Sequence, residues 1–380
     1  MKDVKISDYL WFQEGPGVRN TQYTTSGVKL INVANLVDGN VDLSTSDRYI
    51  SEEEAYGKYN HFLADDGDFV IASSGIKIDY FDKKMGFIKK EHLPLCMNTS
   101  CIRFKVLDTN NLEIKYFMYY LKSNSFKKQL FNQITGSAQL NFGPSHLKKM
   151  TFPLIELKEQ KRIIERLDKT QNIINETKSL LSKYDTLIKS RFIEMFGTEK
   201  DFSKWNCCCV EDVADVTVGV VIKPTQYYCE KGIPAFRSLN IGEMKVNDSD
   251  WVYFTEAGNE KNKKSILKEN DVLVVRSGAP GKSCVITKKY EGYNVVDAII
   301  AHPNLEKVNP VFLCMFTNMP HGMNQIKAKT GGAAQQHFNV GGYNALKMIL
   351  PPLSLQNDFS AFVQQIDKSK FEYTYIGVAA

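Results

Sequence analysis

Residues 156–196 read ELKEQKRIIERLDKTQNIINETKSLLSKYDTLIKSRFIEMF and contain neither glycine nor proline. Apolar side chains recur every seven residues in this segment, at Leu167, Ile174, Leu181, Ile188 and Met195. A heptad repeat of this length predicts a coiled-coil-like helix, and Gly197 stands where such a helix would end. The segment has 41 residues, which would span roughly 60 Å at about 1.5 Å per residue.

A second, shorter helix is expected near the C-terminus, because a long apolar stripe on one helix needs a partner. It would run from Pro352 to about Phe371, and the tail from Tyr373 to Ala380 lacks a heptad pattern. We expect the two helices to pack antiparallel and to hold globular parts at opposite ends. The side chains expected in this spacer and its interface are Leu167, Ile174, Leu181, Tyr184, Ile188, Met195, Phe359, Phe362 and Ile366.

The rest of the chain is organised as an internal repeat. Residues 67–75, GDFVIASSG, match residues 270–278, NDVLVVRSG, at an offset of 203. At an offset of 196, Asn141-Phe142 matches His337-Phe338, and residues 157–160 match residues 353–356. Similar segments in the same order indicate one unit of about 200 residues used twice. The sequence therefore predicts an α+β protein in the order globular part, long helix, globular part, shorter helix.

Composition sets outer limits on what the chain can be. Its 380 residues suggest two or three domains, and 43% hydrophobic and 24% charged residues are ordinary for a globular protein. There is no run of about 18 apolar residues and no signal-like segment, so we expect a cytoplasmic protein without a membrane partner. The eight cysteines form no Cys-x-x-Cys pair and three are consecutive, which favours reduced thiols over a structural zinc site.

Motifs for catalysis are missing. There is no phosphate-binding loop, no Gly-x-Ser-x-Gly and no His-Glu-x-x-His. Gly278 to Ser283 resembles the end of a phosphate loop but has too short a spacing, and Asn309-Pro310-Val311-Phe312 lacks the second proline of an adenine methyltransferase motif. We therefore expect no enzyme, no directly bound cofactor and no metal. Two alternatives stay open: a DNA-acting enzyme, nuclease or methyltransferase, with an unrecognised active site, and a coiled-coil scaffold without DNA affinity.

Charge distribution is more informative than the formal net charge of +5. Residues 114–155 contain six lysines and no Asp or Glu, and residues 307–357 contain four lysines and again no acid. The two stretches occupy the same place in the repeat. Buried core would account for about half of their positions, but a surface that approaches phosphates also excludes carboxylates. This pattern favours binding of double-stranded DNA.

Repeated polar loops supply candidate DNA contacts. Small residues let the backbone approach a partner, and Ser, Gln and Asn can bond phosphates or base edges. Arg276 fits either a DNA contact or a salt bridge, and the sequence does not choose between them. The candidates are Ser73, Ser74, Lys77, Lys127, Lys128, Ser137, Gln139, Asn141, Lys148, Lys149, Arg276, Ser277, Lys282, Lys327, Lys329, Gln335, Gln336 and His337.

Three strings resemble the specificity subunit of type I restriction–modification systems. Residues 152–168, FPLIELKEQKRIIERLD, contain the Pro-Leu-x-x-Leu-x-x-Gln pattern with which the family leads from a recognition domain into a conserved helix. Residues 350–356, LPPLSLQ, repeat that pattern, and residues 189–197, KSRFIEMFG, are similar to the end of the helix. The resemblance extends over essentially the whole chain.

The resemblance implies target-recognition domains at residues 1–155 and 198–351, each reading one half of a bipartite DNA sequence. A central conserved helix at 156–197 and a distal helix with tail at 352–380 would set the spacing between the halves. Such a subunit has no catalysis of its own. It recruits two DNA methyltransferase subunits, which use S-adenosylmethionine, and a restriction and translocase subunit, which uses ATP and Mg²⁺.

One departure from the family concerns the distal helix, which usually matches the central one in length. Here its pattern fades after Phe371. We expect self-association through the Tyr184–Met195 side of the long helix to compensate.

Overall fold

The computed structural model of the chain describes residues 2–133, 140–330 and 337–379, with the backbone alone at 140 and 371–379. The chain divides into two compact units, Met1–Asn172 and Ile173–Ala380. The boundary falls inside the long helix, so the first part of that helix belongs to unit 1 and the last part to unit 2. Among the described residues, no helix is both long and apolar enough to cross a membrane.

Unit 1 is built on an antiparallel sheet of four strands in the order β2-β11-β7-β9, beside a three-stranded sheet in the order β10-β3-β6. Its strands are β1 Lys2–Lys5, β2 Leu10–Glu14, β3 Val28–Ile31, β4 Leu36–Val37, β5 Asn40–Val41, β6 Tyr49–Ile50, β7 Phe69–Ala72, β8 Ser74–Ile76, β9 Met85–Phe87, β10 Leu95–Met97, β11 Cys101–Val106, β12 Leu140–Asn141 and β13 Thr151–Leu154. Its helices are α1 Ile6–Tyr9, α2 Glu52–Tyr56, α3 Ile114–Leu121, α4 Asn124–Gln133, α5 Pro144–Leu147 and the start of α6 Leu157–Phe196.

Unit 2 repeats the four-stranded sheet, in the order β15-β22-β19-β20. Its strands are β14 Asn206–Cys209, β15 Ala214–Val218, β16 Tyr228–Cys229, β17 Ile233–Phe236, β18 Val252–Phe254, β19 Val272–Val275, β20 Ser283–Val285, β21 Asn294–Val295, β22 Ala298–Pro303 and β23 Lys347–Leu350. Its helices are the end of α6, α7 Glu256–Lys261, α8 Pro310–Asn318, α9 Pro320–Lys329, α10 Val340–Asn344 and α11 Leu353–Ala379.

The two sheets match strand for strand, which confirms the mixed α+β fold in two similar copies. In each copy the strand predicted from the repeated apolar run, β7 or β19, lies inside the sheet with all four side chains buried. In each copy the first strand also pairs antiparallel with the last, β1 with β13 and β14 with β23. Continuous Val, Ile and Leu runs suit strands that are buried on both faces.

In each copy, a buried glutamine at the start of the long helix forms hydrogen bonds with the backbone. The Gln160 side chain accepts from the backbone N–H of Glu113 at 2.9 Å and donates to the carbonyls of Asn111 and Ile155 at 2.9 and 2.8 Å. Gln356 accepts from the N–H of Asn309 at 2.8 Å and donates to the carbonyl of Pro351 at 2.8 Å. The family-like strings therefore have a structural role, because Gln160 ties the start of α6 to the loop before α3 and Gln356 ties the start of α11 to the loop before α8.

Replacing Gln160 with leucine is expected to lower the free energy of unfolding by about 2 kcal/mol, because one buried N–H and two carbonyls lose their partner. Chemical denaturation followed by circular dichroism would measure the change. The neighbouring exposed Glu159, replaced with glutamine, is the control and should change the free energy of unfolding by less than about 0.5 kcal/mol. A neutral effect of Gln160→Leu would mean that water replaces all three bonds.

Within unit 2, α6 and α11 pack antiparallel, as expected. The Phe192 ring meets Phe359 with centroids 5.4 Å apart, and the Lys370 ammonium lies 2.8 Å from the Asp185 carboxylate. Residue numbers therefore fall along α6 as they rise along α11. The predicted end of the second helix near Phe371 is wrong, since α11 continues to Ala379. A heptad pattern reports side-chain burial, whereas helix continuation requires only backbone hydrogen bonds.

The heptad side chains of α6 differ in how deeply they are buried. Ile188 is buried, and Tyr184 and Met195 pack against the core of unit 2 together with Phe359, Phe362 and Ile366. Ile174 and Leu181 are half-buried, and Leu167 is 39% exposed. The expectation that the Tyr184–Met195 side is available for a second molecule is therefore wrong, because this chain's own α8 and α11 cover it. Self-association through that side has no structural support.

Candidate nucleic-acid interface

The repeated polar loops meet in pairs, once in each copy. In unit 1, β8 pairs antiparallel with β12, which places Ser74 opposite Asn141, and the N–H of Phe142 donates to the carbonyl of Ser73 at 3.0 Å. In unit 2, Ser277 bridges His337, and the N–H of Phe338 donates to the carbonyl of Arg276 at 2.9 Å. Each copy thus joins, by the same backbone bonds, two segments that are far apart in the sequence.

Several predicted contacts are exposed cations or amides whose side chains have no hydrogen bond or ion pair among the described residues. In unit 1 these are Lys77, Lys128, Asn141, Lys148 and Lys149, and in unit 2 they are Lys282 and Lys327. Lys77 directly follows β8, and Lys148 and Lys149 directly follow α5, the helix after β12. Ser74 is half-buried. Their contact with phosphates stays a prediction.

Two lysines of the acid-free stretch in unit 1 are already neutralised. The Lys127 ammonium lies 3.1 Å from the Asp82 carboxylate, and the Lys115 ammonium lies 2.8 Å from Asp168. Bonds from Lys115 and Tyr119 hold the pKa of Asp168 below its ordinary value, although burial opposes this. Lys127 is therefore already paired within the protein, and its contact with DNA stays a prediction. A stretch without acids in sequence is not without acids in space, because folding brings carboxylates from other segments.

Lys329 also bonds within the protein, although its contact with DNA stays a prediction, and Ser73 is wrong as a DNA contact. The Lys329 ammonium donates to the carbonyls of Gly342 and Ala345 at 3.1 Å, and so closes the end of α10. The Ser73 side chain is fully buried, because the position lies at the end of the interior strand β7.

Arg276 forms the salt bridge that the sequence left open. It is 8% exposed, its Nη1 lies 2.7 Å from Asp297 Oδ1, and its Nε donates to the carbonyl of Phe338 at 3.1 Å. Its Nη2 lies 2.6 Å from His337 Nε2. With all of these bonds inside the protein, the prediction of Arg276 as a DNA contact is wrong.

The bond between Arg276 and His337 also determines which ring nitrogen of His337 carries the proton. A guanidinium only donates, so His337 Nε2 must accept, which places the ring proton on Nδ1. That proton is donated to Ser277 Oγ at 2.7 Å. His337 is exposed, as predicted for a contact. Both of its nitrogens are nevertheless engaged, which leaves its carbon edge and ring face for a partner.

Four predicted contacts, Ser137, Gln139, Gln335 and Gln336, lie outside the described residues. The sequence analysis also missed one residue that lies at the unit 1 loops, Glu14. It ends β2, and its Oε2 would lie 3.2 Å from a Cβ added to Gly143. Glu14 is far from these loops along the chain, so no sequence pattern connected them. The pairing of β2 with β11 brings Glu14 close to the loops.

The described residues contain no group of three or more His, Cys, Asp or Glu side chains placed to hold a metal ion. The three consecutive cysteines lie on β14, and Cys207 is exposed. Four other cysteines are buried, and burial raises the pKa of the Cys101 and Cys314 thiols to about 12. These are packing residues in the described structure.

Comparison with known proteins gives one consistent family. The model of the type I restriction modification DNA specificity domain matches residues 18–182 and 203–375, once in each copy. The MjaVIII specificity subunit of Methanocaldococcus jannaschii is 27% identical over 175 residues, or 45% of this chain and 39% of that protein. The EcoKI specificity subunit of Escherichia coli K12 is 22% identical over 325 residues, or 79% of this chain and 67% of that protein.

Solved structures agree on the fold. The S subunit of a type I restriction-modification system from M. genitalium has a TM-score of 0.54 at 14% identity, covering 100% of this chain and 92% of that one. A structure described as concerning complex assembly and conformational transition of the type I R-M system has a TM-score of 0.51 at 14% identity, covering 98% and 94%. At such low identity these similarities speak for the fold alone.

Proposed function

This chain belongs to the family of type I restriction modification DNA specificity domains, and from that membership we propose that it selects the target sequence of a type I restriction–modification complex. The family is one of specificity domains, in agreement with the expectation that the chain is not an enzyme. In the proposal, each unit reads one half of a bipartite double-stranded DNA target in the cytoplasm. The observation that carries it is the repeated junction of polar loops, Ser74 with Asn141 and Ser277 with His337.

The partners are part of the same proposal. Two DNA methyltransferase subunits would bring S-adenosylmethionine, and a restriction and translocase subunit would bring ATP and Mg²⁺. The antiparallel packing of α6 on α11 supports a rigid spacer in unit 2, since the Phe192 ring stacks on Phe312 and meets Phe359 edge to face. Leu187 and Ile193 are exposed apolar side chains of α6, the helix to which both kinds of partner would bind in this proposal.

Replacing Lys77, Lys148 and Lys149 together with glutamine tests the unit 1 surface. A duplex selected from a randomised library by the unmodified chain should bind the triple variant about tenfold or more weakly. The slope of log affinity against log salt should fall by about 2.7, since each lost phosphate contact contributes about 0.9. Fluorescence anisotropy at several salt concentrations measures both quantities. The preference for the other half of the target should persist.

A matched control removes three lysines that are exposed but paired. Lys169, Lys204 and Lys263 lie beside Glu165, Asp201 and Glu260, and their replacement with glutamine should leave the salt slope unchanged. Equal losses in both triple variants would mean that only net charge matters. Absence of any selected sequence would favour the scaffold alternative, and cleavage or methylation by the chain alone would favour the enzyme alternative.

A further inference from the structure

A loop that carries one cation is repeated in the two units, outside the acid-free stretches. Residues 15–23, GPGVRNTQY, match residues 219–227, GVVIKPTQY, at an offset of 204. The two segments share the first glycine and the final Thr-Gln-Tyr, and both have a cation at the fifth place, Arg19 or Lys223. Each segment directly follows an edge strand of its four-stranded sheet, β2 or β15. We call these two segments the cation loops.

Each cation loop begins with the same backbone bond. The N–H of Gly15 donates to the carbonyl of Cys101 at 3.1 Å, and the N–H of Gly219 donates to the carbonyl of Ala298 at 2.9 Å. Cys101 and Ala298 are the first residues of the neighbouring strands β11 and β22. A Cβ added to either glycine would come within 2.4 or 2.5 Å of backbone atoms three residues before that strand begins. Only glycine fits there, so the two units hold their cation loops in the same place.

In unit 1, one short segment joins the cation loop to the polar loops. The N–H of Thr99 donates to the carbonyl of Pro16 at 3.1 Å, and the carbonyl of Ser100, the next residue, accepts from the N–H of Ser73 at 2.8 Å. Ser73 directly precedes β8, which pairs with β12. The cation loop of unit 1 therefore lies beside the β8–β12 pair.

Unit 2 has the same connection. The N–H of Asp297 donates to the carbonyl of Val220 at 3.2 Å. The Asp297 carboxylate lies 2.7 Å from Arg276 Nη1 and accepts from Ser277 Oγ at 3.5 Å. Because Ser277 bridges His337, the cation loop and the polar loops of unit 2 also lie side by side.

The two cations are exposed, and their charges have no counter-charge. Among the described residues, neither Arg19 nor Lys223 forms an ion pair or donates a side-chain hydrogen bond, and both are exposed. Lys223 also has a φ of +45°, in the left-handed region that a residue with a Cβ rarely adopts. Residues held in such conformations cluster at sites that bind ligands. The preceding residue, Ile222, is 79% exposed, so this loop stands out from the surface of unit 2.

Charge and position together select one ligand chemistry. Guanidinium and ammonium groups only donate hydrogen bonds, and phosphate oxygens are strong acceptors for both. At protein–DNA interfaces, contacts with phosphates fix the register in which neighbouring side chains meet the bases. A cation at the same place in both units would give each half of a bipartite target one matching contact.

We propose that Arg19 and Lys223 are equivalent phosphate-binding residues, each of which holds the DNA backbone beside the polar loops of its own unit. They position the DNA and read no base. The inference rests on the proposed function, because it adds the residues that align each unit with its half of the target.

Single replacements of Arg19 and Lys223 with glutamine in the full chain test these contacts. A duplex selected from a randomised library by the unmodified chain should bind each variant about fivefold more weakly at about 0.1 M salt, and log affinity should depend on log salt less steeply by about 0.9. The base preferences should not change. Arg166→Gln and Lys204→Gln are the controls, since Arg166 is exposed on α6 and Lys204 pairs with Asp201. Both controls should keep the affinity and the salt dependence.

Duplexes in which a single phosphate is replaced by an uncharged methylphosphonate identify each contact directly. One position should weaken binding of the unmodified chain but not of Arg19→Gln, and a position in the other half of the target should do the same for Lys223→Gln. If every position weakens the variants as much as the unmodified chain, the roles of Arg19 and Lys223 are overturned and the proposed function stands. If the unmodified chain selects no sequence, both proposals are overturned.

The variant Lys223→Gly separates the charge from the fold. Glycine adopts a positive φ without strain, so this variant should melt no lower than the unmodified chain and should bind the duplex as weakly as Lys223→Gln. Unchanged binding by Lys223→Gly would mean that the ammonium makes no contact, which would overturn the role of Lys223.

Discussion

Replacement of Arg103 with methionine should lower the free energy of unfolding by about 3–5 kcal/mol, because it leaves a buried carboxylate without its main partner. Arg103 and Asp68 are 4% and 2% exposed, and Arg103 Nη1 lies 3.1 Å from Asp68 Oδ2. The guanidinium also donates to Gln13 Oε1 at 2.8 and 3.1 Å and to the carbonyls of Leu63 and His61. One side chain thus joins β2, β11 and the loop before β7. Urea denaturation of the full chain, followed by circular dichroism, measures the loss.

Two further variants separate charge from geometry. Arg103→Lys keeps the positive charge but lacks the planar guanidinium. It should therefore lower the free energy of unfolding by more than half as much as Arg103→Met does. Lys105→Met, two residues along the same strand, removes a partly exposed ammonium that pairs with Asp65 and should cost less than about 1 kcal/mol. If Lys105→Met cost as much as Arg103→Met, the positive charge near Asp68 would matter more than the hydrogen bonds.

Replacement of Phe192 with alanine is the second large effect, again about 3–5 kcal/mol. The Phe192 ring is buried, with centroids 4.9 Å from Phe196, 5.6 Å from Phe312 and 5.4 Å from Phe359. It therefore connects the end of α6 with α8 and α11. Its truncation leaves a cavity at the point where three helices meet, and the rigid elements around it can fill that space only in part.

Ile193→Ala is the matched control, since the neighbouring Ile193 is 42% exposed and should lose less than about 1 kcal/mol. Differential scanning calorimetry of the three proteins would rank them. If Phe192→Ala unfolded at the same temperature as Ile193→Ala, the aromatic cluster would not stabilise the packing of α6 in unit 2. In the same variant, unit 1 should keep its affinity for its half of the target, because Phe192 packs in the core of unit 2.

The long helix, its antiparallel partner and the repeated sheet were predicted from residue patterns alone. Heptad spacing reports a helix because side chains seven apart lie on one face, and a continuous apolar run such as residues 272–275 reports a strand buried on both faces. The repeat then required two similar units. The family followed from residues 152–168 and 350–356, whose glutamines prove to be buried ties between helix and loop.

The candidate interface was predicted less completely, and for a physical reason. Exposed lysines such as Lys148 and Lys149 could be identified, because exclusion of acids is visible in the sequence. Whether Lys127 or Arg276 has a carboxylate beside it depends on residues 45 and 21 positions away, Asp82 and Asp297. Glu14 reaches Gly143 only through the sheet. Periodicity along the chain therefore determined the elements and their order, whereas partnership of individual charges was decided by the tertiary structure, because electrostatic energy depends on distance in space and not along the sequence.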